Sequence, residues 1–190
     1  MILITKIISV VFNPLMISPF TFSILIFNAN NPNNYLLFII SIVFTTILPF
    51  STILYYKKKG KISSYEAPIR EQRLQLLVIS SIYNLIGFVL LNYYDASAIV
   101  QGLMFCYAMN TAITWIITRY WKISIHMIGL GGPFIALNLA GYNNSNIMVA
   151  IIILVYFSRI KLKAHNHLQL IAGTFLAIIL SYIELTYLFL

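Results

Sequence analysis

The chain has 190 residues, of which 61% are hydrophobic and only 8% are charged. A water-soluble domain of this length does not bury so much apolar surface, whereas each membrane-spanning helix requires roughly 20 mostly apolar residues. The formal net charge of +8 comes from 12 Lys and Arg against four acids. Because these cations border apolar runs, they favour membrane lipids with anionic headgroups, or phosphate, as partners and argue against nucleic acid.

Apolar runs separated by polar turns predict an all-α fold, a polytopic integral membrane helical bundle that forms one domain over residues 1–190. We count seven transmembrane helices. Because the fifth and sixth are short, six is the alternative count. The predicted spans are 7–27, 35–56, 74–92, 98–119, 125–141, 146–160 and 168–189. Pro14 and Pro19 predict a kink in the first span. Lys6, without a small-residue cleavage site after it, favours a retained first helix over a signal peptide.

The basic residues predict the orientation of the bundle. If consecutive spans alternate in direction, all 12 Lys and Arg fall at one end, which we call the basic end, while the other end carries asparagine-rich turns and Asp95. The positive-inside rule then predicts a multi-pass protein, of a cell inner membrane, whose basic end faces the cytoplasm. The single cysteine, Cys106, lies within a predicted span and has no partner for an internal disulfide.

Three polar segments converge on the basic end, and the first contains two arginines. Arg70 and Arg73 are three residues apart, so they share a face if a helix begins there. Two guanidinium groups on one face can grip phosphate oxygens in forked hydrogen bonds. The alternative is that both arginines are interfacial anchors, with Glu71 as a local partner.

The second segment, which opens the fifth predicted span, contains Lys122, Ser124 and His126. A helix that begins here points unpaired backbone N–H groups at the basic end, where they favour an anion. Lys122 and His126 are four residues apart and lie on one helix face. The alternative is an interfacial histidine beside a lysine that extends towards the headgroups.

The third segment, before the last span, contains Ser158, Arg159, His165 and Gln169. His165 and Gln169 are one helical turn apart, so the amide oxygen can accept from one ring nitrogen and leave the other free to attack. His167 projects away from His165 on a helix. The alternative is a basic juxtamembrane run that binds anionic lipid.

Together these residue types favour phosphoryl transfer, which requires cations around the phosphate, an in-line nucleophile and an acid for the leaving oxygen. His165 is the predicted nucleophile and His126 the predicted acid. The predicted phosphate ligands include Arg70, Arg73, Lys122 and Arg159. Only Glu66 and Glu71 are acids near this end, too few to hold a hard cation, so we expect neither a metal nor another cofactor.

This pattern resembles the membrane-bound type 2 phosphatidic acid phosphatase family, which is related to the vanadium haloperoxidases. The family carries the motifs Lys-x6-Arg-Pro, Pro-Ser-Gly-His and Ser-Arg-x5-His-x3-Asp. The third is matched by Ser158-Arg159, His165 and Gln169, with Gln in place of Asp, and the second by the Ser and His of Ile123-Ser124-Ile125-His126. Neither Arg70 nor Arg73 precedes a proline, so the first is matched only approximately. The resemblance covers roughly residues 70–175.

The resemblance implies metal-independent hydrolysis of a lipid phosphate through a phosphohistidine on His165. It implies His126 as the acid and Ser124 and Arg159 as phosphate ligands, and Ser158 belongs to the same predicted set. The implied substrates are phosphatidate, phosphatidylglycerophosphate, or a polyprenyl phosphate or diphosphate. Most members act at the extracytoplasmic face, whereas the charge distribution here predicts a cytoplasmic site. Because Gln169 stabilises an imidazolium less than Asp does, the alternative is a catalytically weak relative that binds anionic lipid, or a transporter.

Overall fold

The computed structural model describes residues 2–142 and 145–190, and all regular structure in these ranges is helical. The nine α-helices are α1 (Ile2–Val11), α2 (Pro14–Phe27), α3 (Asn34–Ile42), α4 (Leu48–Lys58), α5 (Arg70–Tyr93), α6 (Ala98–Tyr120), α7 (Ile125–Leu139), α8 (Ser145–Lys161) and α9 (His167–Glu184). Two π-helical turns, Val43–Ile47 and Leu185–Phe189, join α3 to α4 and extend α9.

Four of the described helical segments are long and apolar enough to cross a membrane. They are Asn34–Lys58, Arg70–Tyr93, Ala98–Tyr120 and His167–Phe189. A fifth crossing is added if α1 and α2, which meet at a 45° bend, form one span. The predicted count of six to seven spans is not confirmed, because α7 has 15 residues and α8 has 17, fewer than the roughly 20 that an upright span requires.

The break in the first predicted span lies at Asn13. The Asn13 side chain accepts a hydrogen bond from the Leu15 backbone N–H at 3.0 Å and so caps α2, while Pro14 occupies the first helical position. Proline is tolerated there because its missing N–H would be unpaired in any case. Pro19, by contrast, lies inside α2 without ending it, so only one of the two predicted kinks is a break.

The bundle is apolar on the outside and partly polar inside. On α5, four large aliphatic side chains at helical spacing face outwards: Ile82, Leu85, Ile86 and Val89. The opposite face of the same helix buries Arg73 and Asn84. A surface of this kind is unfavourable in water and favourable against lipid tails, and it agrees with a membrane protein.

Close packing of α7 against α9 positions the predicted site. A Cβ on Gly131 would collide with the Ala177 methyl group, and one on Gly173 would lie 3.0 Å from the Ser124 carbonyl oxygen. The Ser124 backbone N–H also donates to the Gln169 carbonyl at 3.3 Å. Small residues let two helix backbones approach closely, and here they bring the start of α7 beside the start of α9.

The segments at the two ends of α5 make different polar contacts. Asn31 donates to the Asp95 carbonyl at 3.0 Å and joins two of the asparagine-bearing turns at one end. At the opposite end the loop between α4 and α5 meets the end of α8 through an ion pair between Glu66 and Arg159. The α7–α8 hairpin leaves from this second end and returns to it.

Candidate active site

Arg159 is the most deeply buried cation of the cluster, with 2% of its side chain exposed. Its Nη1 donates to the Ser9 hydroxyl at 2.7 Å and to Glu66 Oε2 at 2.9 Å. Among the described residues, the Arg159 Nε has no hydrogen-bond acceptor. A buried cation with an unused donor is costly, so this position is suited to a further anionic oxygen.

Arg73 is the second buried cation and lies in the first turns of α5. Its Nε donates to the Ala67 carbonyl at 2.6 Å, and its Nη1 donates to the Ile123 carbonyl at 3.4 Å. Arg70, by contrast, is partly exposed and pairs with its neighbour Glu71 at 2.9 Å. Arg70 is the first residue of α5, whereas Arg73 lies almost one turn further along the helix and enters the bundle. The predicted pair of phosphate-binding arginines is therefore reduced to Arg73.

Ser124 and His126 begin α7. The buried Ser124 hydroxyl oxygen accepts from the Met127 backbone N–H at 3.4 Å and caps the helix. The His126 Nε2 lies 3.2 Å from the carbonyl oxygen of Ser9. Because a carbonyl only accepts, this nitrogen carries the hydrogen. Ser9 thus contacts Arg159 through its hydroxyl and His126 through its carbonyl, and it links the two predicted site residues.

The geometry of His165 assigns the state of its ring. His165 Nδ1 lies 2.9 Å from Gln169 Oε1, and the Asn166 backbone N–H points at the same atom at 3.4 Å. An atom that accepts from a backbone N–H is the amide oxygen, so His165 Nδ1 must donate to it. In the neutral ring Nε2 then carries the lone pair. The reciprocal bond from Gln169 N–H to the Asn166 side chain at 2.9 Å completes a capping box at the start of α9.

The charges of three cations act on His165. Burial lowers the pKa of His165 from 6.5 to about 3, opposed by the Gln169 hydrogen bond and reinforced by the charges of Arg73, Arg159 and Lys122. Burial, Arg73 and Arg159 likewise lower the pKa of the half-buried Lys122 ammonium. The imidazole is therefore neutral near pH 7, and the positive potential around it favours an anion.

Two residues near this cluster use their polar groups elsewhere. The Ser158 hydroxyl donates to the Thr5 carbonyl at 2.7 Å and fastens α8 to α1. Its hydrogen is therefore used in helix packing and not, as predicted, in phosphate binding. His167 Nδ1 lies 2.6 Å from the exposed Tyr156 hydroxyl, so His167 is apart from the cluster, as its position on a helix predicts.

Sequence reasoning missed two members of the cluster and the role of a third. Ser9 gave a weak signal, since Thr5 and Ser9 are one turn apart on a helix that is apolar apart from these two residues and Lys6. Asn166 matches the Asn-x-x-Gln pattern of a capping box, which was readable from the sequence. The sequence shows Glu66 only as an acid near the basic end, and its pairing with Arg159 depends on the path of the 59–69 loop, for which the sequence carries no signal.

The cluster is basic, contains two histidines and offers no set of metal ligands in the described part of the chain. Within residues 2–142 and 145–190, no three His, Cys, Asp or Glu side chains lie together as a metal site requires. Comparisons with models of protein families, with curated proteins and with solved structures yield no significant match for this chain.

Proposed function

We propose that the protein is a membrane-embedded lipid phosphatase that hydrolyses a phosphate monoester or diphosphate through a phosphohistidine on His165. The observation that carries this proposal is the neutral His165 ring, whose Nδ1 is held by Gln169 at 2.9 Å while buried Arg73 and Arg159 lie around it. A neutral ring with an oriented lone pair is a nucleophile, and the guanidinium groups stabilise charge on the transferring phosphoryl oxygens.

In the proposed reaction, His165 Nε2 attacks phosphorus while the bond between phosphorus and the lipid oxygen breaks. The leaving oxygen takes a proton from Nδ1 of His126, which enters the proposed reaction as an imidazolium and becomes neutral, and the lipid departs as an alcohol, or as a monophosphate if the substrate was a diphosphate. Water then attacks the phosphohistidine, His126 takes its proton, and inorganic phosphate leaves. The cations that balance the phosphoryl charge are protein side chains, so we propose that no metal is needed.

The substrate is proposed to be a lipid because the pocket lies at the end of an apolar bundle. Phosphatidate, phosphatidylglycerophosphate and polyprenyl phosphates share an anionic headgroup on an apolar tail, and all fit this arrangement. We further propose a multi-pass protein of a cell inner membrane with its basic end in the cytoplasm. The exposed lysines at and just after the end of α4, Lys58, Lys59 and Lys61, support this orientation.

A second candidate function is the binding or transport of anionic lipid without turnover. Gln169 favours it, because an amide stabilises the imidazolium that forms during phosphoryl transfer less well than a carboxylate does. The same basic pocket would then hold a headgroup without cleaving it.

Phosphate release from a panel of lipid phosphates by the purified protein tests the proposal. We expect release that persists in EDTA and is lost in His165→Gln, while the matched control His167→Gln retains it. Release that stops in EDTA and returns with magnesium would contradict the metal-free route. Tight lipid binding without release from any member of the panel would favour the second candidate.

A further inference from the structure

The loop between α4 and α5 contacts the two buried arginines that the proposed function requires for substrate phosphate. Two consecutive residues of this loop bind the two buried arginines: Glu66 accepts from Arg159 at 2.9 Å and the Ala67 carbonyl accepts from Arg73 at 2.6 Å. An anionic oxygen and a carbonyl oxygen thus bind the two groups that would otherwise bind a phosphoryl group.

The loop is built to present these two oxygens. The Ala67 N–H donates to the Ser64 carbonyl at 3.0 Å and closes a turn with Glu66 near its tip. Ala67 adopts a left-handed backbone conformation, with φ of 41°, which a residue with a side chain adopts only when its surroundings hold it there. Behind the turn, the Ser63 N–H and hydroxyl each lie 3.0 Å from Gln72 Oε1, and Lys57 Nζ donates to the Ser63 carbonyl at 2.6 Å.

Glu66 uses only part of the hydrogen-bonding capacity of Arg159. Its side chain is 45% exposed, whereas that of Arg159 is 2% exposed. The carboxylate engages Nη1 of Arg159, while Nε of the same guanidinium has no acceptor in the described part of the chain. A phosphoryl group has three oxygens and a larger charge, so it can satisfy donors that one carboxylate leaves open.

We propose that Glu66 is an internal competitor for substrate phosphate, so that the 63–67 loop closes the anion pocket at rest and is displaced when a phosphorylated lipid binds. The identity of the phosphorylated ligand rests on the proposed function, whereas the role of Glu66 concerns only the binding of an anion. The loop therefore sets the affinity for the phosphoryl group: a ligand enters only if it binds Arg159 better than Glu66 does. A neutral or weakly charged lipid headgroup does not meet that condition.

The test is the dissociation constant of inorganic phosphate for the purified protein in detergent, measured by calorimetry at neutral pH. Glu66→Gln keeps the size of the side chain and removes its charge, so phosphate should bind about 3- to 10-fold more tightly. The matched control is Glu71→Gln, which removes the same charge from the exposed pair with Arg70 and should change the constant less than about twofold. Unchanged or weaker phosphate binding in Glu66→Gln would overturn the proposal.

Glu66→Gln leaves the buried Arg159 without its carboxylate partner, so the variant can be poorly folded. A second measurement covers that case. Phosphate should then raise the melting temperature of Glu66→Gln more than that of the wild type, because a ligand that binds only the folded state stabilises it by mass action. An equal or smaller rise would contradict the proposal. If Glu66→Gln binds phosphate more tightly but the wild type cleaves no lipid, the role of Glu66 is supported and the phosphatase function fails. If binding is unchanged and the wild type is an active phosphatase, only the role of Glu66 is refuted.

Discussion

The Nδ1–H of His165 donates to the side-chain oxygen of Gln169 across 2.9 Å, and this oxygen also accepts the backbone N–H of Asn166. One amide oxygen thus fixes the histidine ring and caps the first turn of α9. The helix start and the orientation of the proposed nucleophile are therefore one structural unit, and a change at Gln169 affects both.

A carboxylate at position 169 should raise the rate of phosphate release. Gln169→Glu keeps the reach of the side chain and the capping box, and its negative charge stabilises the imidazolium and the helix N-terminus. Gln169→Asp introduces the residue that stands at this position in the motif Ser-Arg-x5-His-x3-Asp, and it should retain or raise activity. Gln169→Leu removes the acceptor and should lower kcat by about 10²-fold or more, as loss of an orienting partner does in histidine-based catalysis. Equal rates of phosphate release in all three variants would show that Gln169 has no role in catalysis.

The ring of His165 should remain neutral in mildly acidic solution. Burial and the neighbouring cations lower the pKa of His165 from 6.5 to about 3, so the folded protein binds this proton less tightly than the unfolded chain does. The stabilising contribution is therefore complete above pH 6.5 and is lost as the pH falls towards 3. NMR of ring-labelled histidine, with His165→Gln to assign the signal, should show no titration of His165 between pH 8 and pH 5. A midpoint near pH 6.5 would contradict the buried, cation-lined environment.

Two adjacent glycines of α7 should respond differently to the same substitution. A Cβ on Gly131 would collide with Ala177 of α9, whereas a Cβ on Gly132 would lie 3.4 Å or more from its nearest neighbours, the side chains of Leu103 and Ser181. Gly131→Ala should therefore lower the free energy of unfolding by about 1–3 kcal/mol through overpacking, and Gly132→Ala should be close to neutral. Thermal unfolding in detergent measures both, and equal losses would show that α7 and α9 do not pack through Gly131.

The helical content was predictable, because apolar runs are local features of the sequence. The number of spans was not, since hydropathy does not reveal that Asn13 caps α2 and so breaks the first predicted span, or that α7 and α8 have only 15 and 17 residues. The pairing of His165 with Gln169 followed from helical spacing alone. The burial of Arg73 and the exposure of Arg70 depend on the turn at Ala67, and the contacts of Ser9 and Glu66 join segments far apart in sequence.

The orientation of the basic end can be tested with single cysteines at two exposed positions. In intact cells an impermeant thiol reagent should label Asn30→Cys, at the end opposite the lysines, and should label Lys58→Cys only after the membrane is opened. Cys106 is buried, so the otherwise unchanged chain is the background control. The reverse labelling pattern would place the basic end outside the cytoplasm and leave the proposed chemistry untouched.

Trapping of the phospho-enzyme tests the central claim most directly. The purified protein is mixed with lipid labelled in its phosphate, quenched in alkali, under which phosphohistidine survives, and digested to locate the label. We expect the label on His165 in the wild type and in His167→Gln, and no label with no phosphate release in His165→Gln. Label-free wild type that nevertheless releases phosphate, or a His165→Gln protein that still releases it, would contradict a phosphohistidine mechanism at this residue.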